Sequence, residues 1–477
     1  MFFGREEQIE QLEALWRKRV GSLVTCRGRR RIGKSTLIEA FAKKTKSRFI
    51  KIEGVKPKGR FSNENELAAF AMQLAAQTEA DPTPPANWLN AFIRLNDKIR
   101  DDERTVVLLD EISWLGYYDG MFADTLRIAW ENYWKKHDRL IVVLCGSVST
   151  WIKENVIDNS AYLGRRSLDL LVGELPLREC ARFWGAEADR LAVKEIVDVL
   201  SVTGGVPRYL EEVDPGLSAD DNLKRMCYSP NSILRVDFDE MFNDVITNQP
   251  QLSAKVLRTL VDGPRSATEI AEALGMEKGG HVSGALLQLA EAGFVSGEAG
   301  LNPETGAEVR ERRYRLRDNY TRYYLKFVER VKSAIDAGTY AFTSLARLDG
   351  WNAVMGLQFE NLVVNHYPEL LPYLHLGGAV LTSAAPYRKF GRRDRNQGCQ
   401  VDLLLQAANM LYFIETKRCR RIEPSIVGEV DEKVKRVLRP DGVSARAALV
   451  YDGELALSVE ADGYFDAVVP FRKLLGL

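Results

Sequence analysis

Short apolar runs and helical stretches alternate along the first part of the chain. The runs at residues 22–26, 105–109 and 139–144 predict strands, and segment 36–42 predicts the start of a helix. After residue 179 the strand pattern disappears, and the chain is predicted to be helical up to about residue 248. The pattern therefore predicts an α/β region followed by a helical region.

The middle of the chain has a different rhythm. A capping box, Ser266 with Glu269, opens the second of three amphipathic helices, and a hairpin is predicted around residues 302–306. The three predicted helices cover residues 254–260, 266–274 and 281–290. This region resembles a winged helix, whose second helix would enter a DNA groove and whose basic hairpin would hold phosphates. Those basic residues are Arg310, Arg312, Arg313 and Arg315. The third helix has few basic residues beyond Lys278 and His281, so a structural or protein-contact role is an open alternative.

Composition limits the class of protein. With 477 residues, the chain is too long for one core and predicts roughly three or four domains. Its formal net charge is zero, so any contact with nucleic acid must be local. Six dispersed cysteines without a Cys-x-x-Cys pair argue against zinc and for a reducing compartment. The sequence shows neither a signal h-region nor a membrane-length apolar stretch, so we expect a cytoplasmic protein without membrane contact.

A Gly-rich loop at residues 28–35 lies between the first predicted strand and the helix that follows. Gly28 and Gly33 would let the backbone N–H groups face a phosphate, and the helix N-terminus would add its positive dipole. Lys34 would reach the β- and γ-phosphates of ATP, and the hydroxyl of Ser35 would bind Mg²⁺. Thr36 is the adjoining candidate for nucleotide contact. The alternative is a glycine turn with a solvated basic run.

Two further strand ends complete a predicted ATPase site. Asp110 and Glu111 follow the second apolar run, where the first carboxylate could hold Mg²⁺ and the second could activate the attacking water. Glu111 therefore favours hydrolysis over binding alone. Ser147 follows the third run and could sense the γ-phosphate, or it could simply cap the next helix.

These motifs resemble the archaeal-type ATPase family, near the AAA+ and STAND branches of P-loop proteins. The resemblance covers about the first 240 residues and includes Gly4-Arg5, the Gly-rich loop, Asp110-Glu111 and the segments 162–166 and 203–210. It implies that Gly205 and Pro207 belong to a helical lid near the adenine. It also implies that Arg165 or Arg166 acts as an arginine finger or a γ-phosphate contact, either within one chain or across the interface of a homo-oligomer; an ordinary surface ion pair is the alternative.

Four charged residues that are far apart in the C-terminal sequence are candidates for one metal site. The short pattern Glu415-x-Lys417 ends the second strand of a hairpin predicted from apolar runs at 400–405 and 411–414. That hairpin could bring Asp402 close to Glu415, a pair of oxygen ligands suited to Mg²⁺ or Mn²⁺. Lys417 would share a face with Glu415, because a strand repeats every two residues. Glu360, on a preceding helix, would supply a third carboxylate.

In this order the four residues resemble the core of the PD-(D/E)XK nucleases over about residues 350–455. Basic residues flank the quartet and could form a track for DNA phosphates: Arg388, Lys389, Arg392, Arg393, Arg395, Arg418, Arg420 and Arg421. In the alternative interpretation, Asp402 and Glu415 pair with this basic surface and the domain only binds. Glu429 and Lys433, on a following helix, are either further site residues or a solvated ion pair.

Together the patterns predict a multidomain α/β protein. The predicted parts are a P-loop AAA+-like parallel-sheet core (1–178), a helical lid (179–248), a winged helix (249–325), and linker helices with a restriction-endonuclease-like α/β domain (326–477). The first functional hypothesis is an ATP-binding and ATP-hydrolysing protein that drives or gates a metal-dependent DNA nuclease, in defence, mobile-element or DNA-repair biology. The second is a STAND-like nucleotide switch whose C-terminal domain binds nucleic acid or protein without cutting. A DNA-remodelling motor is a weaker third.

Overall fold

The computed structural model describes residues 2–59, 61–146, 149–246, 249–277, 279–300, 302–309, 311–389 and 398–477. Several predicted residues lie outside these ranges: Ser147, Lys278, Arg310, Arg392, Arg393 and Arg395. The chain forms two compact units, the N-terminal unit Met1–Glu174 and the C-terminal unit Leu175–Leu477. No helix in the described part of the chain is both long and apolar enough to cross a membrane.

Five parallel strands form the sheet of the N-terminal unit. They are β1 (Ser22–Arg27), β2 (Arg48–Glu53), β3 (Thr105–Asp110), β4 (Leu140–Gly146) and β5 (Arg166–Leu171), in the spatial order β2-β3-β4-β1-β5. Every residue of β3 and β4 is buried, as expected for central strands covered on both faces. The strands predicted at residues 22–26, 105–109 and 139–144 are thus confirmed, with β4 shifted slightly toward the C-terminus.

Within the described part of this unit, seven α-helices accompany the sheet. They are α1 (Glu6–Leu15), α2 (Lys34–Lys44), α3 (Asn63–Gln77), α4 (Trp88–Asn96), α5 (Ile112–Leu115), α6 (Phe122–Asn132) and α7 (Ser149–Ile152). Leu23, Ile52, Val107 and Leu144 from the strands share a core with aromatic residues from α3, α4 and α6. Because all five strands are parallel, the loop after β1 and the residues after β3 emerge at the same edge of the sheet.

Helices fill the first part of the C-terminal unit. They are α8 (Leu177–Ala181), α9 (Val193–Thr203), α10 (Pro207–Leu210), α11 (Ala219–Cys227) and α12 (Ile233–Val245). This agrees with the predicted loss of strands after residue 179. Gly204 caps the C-terminus of α9 with a φ of 57° and a ψ of −161°, a combination essentially restricted to glycine.

Three helices and a small antiparallel sheet follow. The elements are α13 (Pro250–Thr259), β6 (Arg265–Ser266), α14 (Ala267–Ala273), α15 (Gly280–Glu291), β7 (Val295–Glu298) and β8 (Arg313–Leu316), with strand order β6-β8-β7. The capping box is confirmed: Glu269 N donates to Ser266 Oγ, and Ser266 N donates to Glu269 Oε2. All three predicted helices are present, with bounds shifted by a few residues.

The last region has a mixed five-stranded sheet. Its strands are β9 (Leu381–Lys389), β10 (Cys399–Ala407), β11 (Met410–Ile422), β12 (Ser444–Leu455) and β13 (Ala467–Pro470), in the order β13-β12-β11-β10-β9. The β10–β11 hairpin is antiparallel, whereas β11, β12 and β13 run parallel. The helices are α16 (Asn319–Tyr323), α17 (Lys332–Asp336), α18 (Trp351–Asn365), α19 (Tyr367–Leu370), α20 (Ser425–Arg436), α21 (Leu457–Asp462) and α22 (Phe471–Leu474).

Two of the predicted wing arginines, Arg313 and Arg315, are held by partners within the C-terminal unit, which corrects the prediction that they hold phosphates; Arg312 is exposed. Arg315 is buried, lies 2.5 Å from Glu298 and donates to the side chains of Asn361 and Asn365 on α18. Arg313 donates to Glu269 Oε2 at 2.8 Å. These side chains are held by carboxylate and amide partners inside the C-terminal unit.

Candidate functional site

The Gly-rich loop joins β1 to α2 as predicted. Gly28 has a φ of 153°, and a Cβ on it would lie 2.3 Å from the carbonyl oxygen of Val172. Gly33 has a φ of 83° and forms the N-cap of α2, so the first N–H groups of that helix have no intrahelical partner. Both glycines therefore meet backbone requirements that a side chain would violate or strain. The resulting loop leads into a helix N-terminus suited to a phosphate.

Lys34 is buried in this loop. Its Nζ donates to the carbonyl oxygens of Gly28 and Arg29, at 3.0 and 3.1 Å. A lysine held inside the loop by backbone carbonyls can exchange them for phosphate oxygens without a large movement. Its position fits the predicted contact with the β- and γ-phosphates.

Ser35 and Asp110 meet where the loop faces the end of β3. Ser35 Oγ donates to Asp110 Oδ2 at 2.6 Å. A hydroxyl and a carboxylate this close are the hard oxygen ligands that Mg²⁺ prefers. The residues present therefore fit a magnesium nucleotide. Thr36, one residue further along α2, is exposed.

Glu111 follows Asp110 in an unusual backbone conformation. Its φ of 45° lies in the left-handed region, and it caps the short helix α5. Its N–H donates to Asp110 Oδ1 at 3.1 Å. The turn thus fixes the Asp110 carboxylate against the backbone of Glu111, and backbone strain of this kind is concentrated at functional sites.

The two predicted finger arginines have partners within the chain. Arg165 Nε donates to Glu131 Oε1 at 2.5 Å, and Arg166 donates to the carbonyl oxygen of Ile157 at 3.3 Å. The hydrogen bond from Lys135 and that from Arg165 lower the pKa of Glu131 despite its partial burial. Within one chain, Arg165 therefore takes part in an ion pair, which was the alternative left open by the sequence.

The two predicted lid residues lie in the C-terminal unit. Gly205 is buried, and its carbonyl oxygen accepts a hydrogen bond from Leu175 N at 2.8 Å. Pro207 occupies the first turn of α10, where the missing N–H is tolerated.

The C-terminal quartet lies in one cleft of about 750 Å³. We call it the carboxylate cleft; it is lined by Glu360 from α18, Asp402 from β10, and Glu415 and Lys417 from β11. Lys417 Nζ is 3.2 Å from Glu415 Oε1, so the expected shared face is confirmed. The hairpin, the preceding helix and the strand period together bring these distant residues into one place.

Residues of α20 complete the cleft. Lys433 Nζ is 2.5 Å from Glu415 Oε2, and Glu429 Oε2 is 3.3 Å from Lys417 Nζ. Each of the two therefore reaches a residue of the quartet, rather than forming only a solvated pair on its own helix. Asp402 Oδ2 accepts hydrogen bonds from both the N–H and the Oγ1 of Thr416, each at 2.8 Å.

Burial and mutual repulsion alter the acidity of the carboxylates. Burial, together with the charge of Asp402, raises the pKa of Glu360 to about 8. The same two causes raise the pKa of Glu415, although Lys433 and Lys417 oppose them. Burial would lower the pKa of Lys417, but Glu415 and Glu429 outweigh it and raise that pKa. Perturbation of several neighbouring groups in one cleft is typical of functional sites.

The fit of a metal ion to this cleft is partial. The carboxylates have the right chemistry for Mg²⁺ or Mn²⁺. Both oxygens of Glu415, however, already face an ammonium group, Lys417 on one side and Lys433 on the other. Among the described residues, no group of three or more His, Cys, Asp and Glu side chains is gathered closely enough to hold a metal ion. A cation would have to replace at least one lysine contact.

The predicted basic flank needs one correction. Arg418 is not part of an exposed phosphate track, because its side chain is only 9% exposed and pairs with Asp198 and Asp452. The bulge after Arg418 leaves Arg420 and Arg421 exposed instead, with Arg421 3.4 Å from Glu423. Arg388 is exposed and Lys389 is half-buried, both at the end of β9.

Comparison with known proteins decides the identity of the first part. Residues 2–213 match the family model of an ATPase domain found predominantly in Archaea. The N-terminal part is a P-loop ATPase domain. An uncharacterized protein of Methanocaldococcus jannaschii, MJECL04, is 22% identical over 371 residues, which is 78% of each chain.

Two solved structures are similar to this chain to different degrees. The Walker-type ATPase PABY2304 of Pyrococcus abyssi is 18% identical, with a TM-score of 0.51 over 68% of this chain and 96% of that one. The ORC2 protein of Aeropyrum pernix, solved with ADPNP and ADP, is 16% identical, with a TM-score of 0.43 over 71% of this chain and 96% of that one. The first of these likenesses supports a P-loop ATPase fold.

Sequence reasoning missed two residues of the P-loop ATPase domain. Arg5 lies in the Gly4-Arg5 motif, but the sequence predicted no role for it. Its guanidinium donates to the carbonyl oxygens of Ile32 and Gly173, at 3.2 and 2.7 Å, and so anchors the phosphate loop. Lys51 Nζ on β2 is 3.4 Å from Asp110 Oδ2. Burial would lower the pKa of Lys51, but the carboxylates around it outweigh burial and raise it. The alternation of β2, which places Lys51 and Glu53 on one face, could have indicated this contact.

Proposed function

We propose that this protein is an ATP-regulated, divalent-metal-dependent DNA nuclease. One observation carries the proposal: Glu360, Asp402, Glu415 and Lys417, spread over three elements, line a single cleft. The packing of a hydrophobic core would not by itself gather three carboxylates and a lysine in one cleft beside the mixed sheet. The arrangement supports the resemblance to the PD-(D/E)XK nuclease core.

In the ATPase domain, Ser35 and Asp110 would hold Mg²⁺, and Lys34 would bind the phosphates together with the N–H groups of the loop. Glu111 would orient and deprotonate the attacking water, because it lies beside Asp110 on the rigid turn that opens α5. Thr36 would contact the phosphates from the first turn of α2. Ser147 remains proposed as a γ-phosphate sensor.

Two further proposals concern the nucleotide. Gly205 and Pro207 would approach the adenine as part of the lid. Arg165 or Arg166 would act on the γ-phosphate of a neighbouring copy in a homo-oligomer. For Arg165 this requires release from Glu131, with which it forms a partly exposed ion pair.

In the carboxylate cleft, Glu360, Asp402 and Glu415 would provide the metal ligands. A bound divalent ion would supply a nucleophilic water and stabilise charge on the scissile phosphate. Lys417, with its raised pKa, stays protonated at neutral pH and would neutralise the phosphate or orient the water. The exposed Arg420 and Arg421 and the winged-helix region are proposed to contact the DNA backbone.

A second candidate function is a nucleotide switch that binds nucleic acid or protein without cutting. The observation that favours it is the occupation of both Glu415 oxygens by ammonium groups. With its charge already balanced, the cleft could be a stable ion-pair network. The two candidates differ in whether a metal ion displaces a lysine from Glu415.

The deciding experiment incubates the purified protein with single-stranded, duplex and branched DNA, with Mg²⁺ or Mn²⁺, in the presence and absence of ATP. Lys417→Ala and Lys34→Ala variants are assayed alongside wild type, and hydrolysis of ATP is followed in every reaction. We expect metal-dependent cleavage that Lys417→Ala abolishes and Lys34→Ala alters.

Intact ATP hydrolysis without cleavage of any substrate would reject the nuclease in favour of the switch. Cleavage that Lys34→Ala leaves unchanged would reject regulation by ATP. Cleavage that Lys417→Ala leaves unchanged would place the nuclease activity outside the carboxylate cleft.

A further inference from the structure

The matched ATPase domain and the compact units do not end at the same residue. The family match extends to residue 213, whereas the C-terminal unit begins at Leu175. The last part of the matched domain, including α9, therefore folds in one unit with the mixed sheet and the carboxylate cleft. A side-chain contact from α9 to that sheet therefore connects a segment of the matched ATPase domain with the sheet that carries the carboxylate cleft.

One buried ion pair makes such a contact. The Arg418 guanidinium on β11 pairs with Asp198 on α9 and lies 3.2 Å from Asp452 Oδ2 on β12. The side chains of Arg418 and Asp198 are only 9% and 2% exposed. Asp198 also holds Lys194 of its own helix at 2.5 Å. The charges are balanced within this group of four, so Arg418 is fixed between α9 and the sheet rather than offered to solvent.

Arg418 is also the direct neighbour of Lys417. The two residues occupy consecutive register positions of β11, opposite Asp452 and Tyr451 of β12. Lys417 contacts Glu415 and Glu429 in the carboxylate cleft, while Arg418 contacts α9. A shift of α9 that pulls on Arg418 therefore moves the backbone that positions Lys417.

We propose that Arg418 is a positioning residue that couples the nucleotide state of the ATPase domain to the carboxylate cleft through Asp198. This inference rests on the proposed function. Asp198 acts as the ATPase-side partner, and Asp452 holds Arg418 within the sheet. Movement of α9 changes the balance between these two carboxylates, which gives the link two discrete arrangements. Substitution of a residue in such a link changes the coupling between the two sites by about 2- to 30-fold.

The two carboxylates provide matched variants. Asp198→Asn and Asp452→Asn each leave Arg418 with one carboxylate and one amide partner, but only the first weakens the contact with the ATPase segment. We expect Asp198→Asn to reduce the effect of ATP on cleavage to less than a third of its wild-type value, with basal metal-dependent cleavage retained. Asp452→Asn should preserve most of the ATP effect. The wild-type effect is the ratio of cleavage rates with and without ATP.

A second readout does not require cleavage. Coupling is reciprocal in binding, so uncleaved duplex DNA in Ca²⁺ should change the affinity of a fluorescent ADP analogue in wild type. This change should be lost in Asp198→Asn and retained in Asp452→Asn. It separates the two proposals, because a wild type that never cuts DNA would fail as a nuclease and could still show this linkage.

A purely structural role predicts equal effects of the two substitutions. Equal loss in both variants, or equal retention in both, would overturn the proposal. If Asp198→Asn does not fold, the double variant Asp198→Asn/Arg418→Gln removes the incompletely paired buried charge and serves in its place. Full ATP coupling and full ADP–DNA linkage in that double variant would equally overturn it.

Discussion

The phosphate loop and the carboxylate cleft solve the problem of a charged site in opposite ways. In the loop, Lys34 is held by the carbonyl oxygens of Gly28 and Arg29, and within the described part of the chain it has no carboxylate hydrogen-bond partner. In the cleft, Glu415 is balanced by two lysines, and Glu360 has a pKa raised to about 8. The first site is arranged to receive an anion, whereas the second is already neutralised by its own side chains.

The phosphate loop can therefore bind its ligand without losing an internal ion pair, whereas the cleft must first give up a lysine–carboxylate contact. A nucleotide phosphate can replace weak carbonyl partners of Lys34 at little cost. A metal ion in the cleft must compete with the ammonium group of Lys433, which approaches Glu415 to 2.5 Å. We therefore expect substitutions at the two sites to differ in size and even in direction.

The largest effect is expected at Lys34. Lys34→Ala removes the cation that the carbonyl oxygens of Gly28 and Arg29 hold, so ATP hydrolysis should fall by about 100-fold or more. Steady-state phosphate release measures the rate, and a fluorescent nucleotide measures binding. Lys44→Ala, at the exposed end of the same helix and paired with Glu13, is the matched control and should stay near wild type. If Lys34→Ala hydrolysed ATP within a few-fold of the wild-type rate, the phosphate loop would not be the ready anion site that this comparison assumes.

A smaller effect of opposite sign is expected at Lys433. Lys433→Met removes one of the two charges that neutralise Glu415, so the concentration of Mn²⁺ for half-saturation of the cleft should fall by about tenfold. Calorimetric titration without nucleotide measures it, and DNA cleavage checks it. Lys435→Met, on the same helix and paired with Asp431 at 2.5 Å, removes an exposed charge and should leave the titration unchanged. Weaker Mn²⁺ binding in Lys433→Met would show that this lysine supports the site instead of competing with the metal.

The two sites also differ in how far the sequence could predict them. The phosphate loop is contiguous, so Gly28, Gly33, Lys34 and Ser35 follow from local spacing and strand–helix context. In the cleft, the two-residue repeat of a strand predicted that Glu415 and Lys417 share a face, and the predicted β10–β11 hairpin brought Asp402 near them. The role of Lys433 could not be decided from sequence, because its contact with Glu415 depends on how α20 packs against β11. Arg418 was misinterpreted for the same reason: sequence shows a charge in a basic run but not the Asp198 and Asp452 that bury it.

The smallest effect tests whether burial alone explains a raised carboxyl pKa. Glu66 on α3 is fully buried; its Oε1 accepts a hydrogen bond from Val55 N at 3.0 Å, while its Oε2 has no hydrogen-bond partner among the described residues. Burial raises the pKa of Glu66 to about 7, from an ordinary value near 4.5, although the hydrogen bond from Val55 N opposes this rise. The folded protein therefore binds this proton more tightly than the unfolded chain. Its stabilising effect is complete below about pH 4.5 and is lost as the pH rises through about 7.

Glu66→Gln keeps the acceptor for Val55 and stays neutral at every pH. The shift sets an upper limit of about 3 kcal/mol, and we expect the variant to gain about 1 kcal/mol over wild type at pH 8 relative to pH 5, because the side chain relaxes in both states. Urea unfolding of the full-length protein at the two pH values measures this difference. Glu64→Gln, exposed on the same helix, should show no such dependence. A pH-independent difference for Glu66→Gln would mean that its carboxyl group is already charged in the folded state. Burial alone would then be insufficient to raise a carboxyl pKa in this protein, and the raised pKa of Glu360 would depend on its neighbour Asp402.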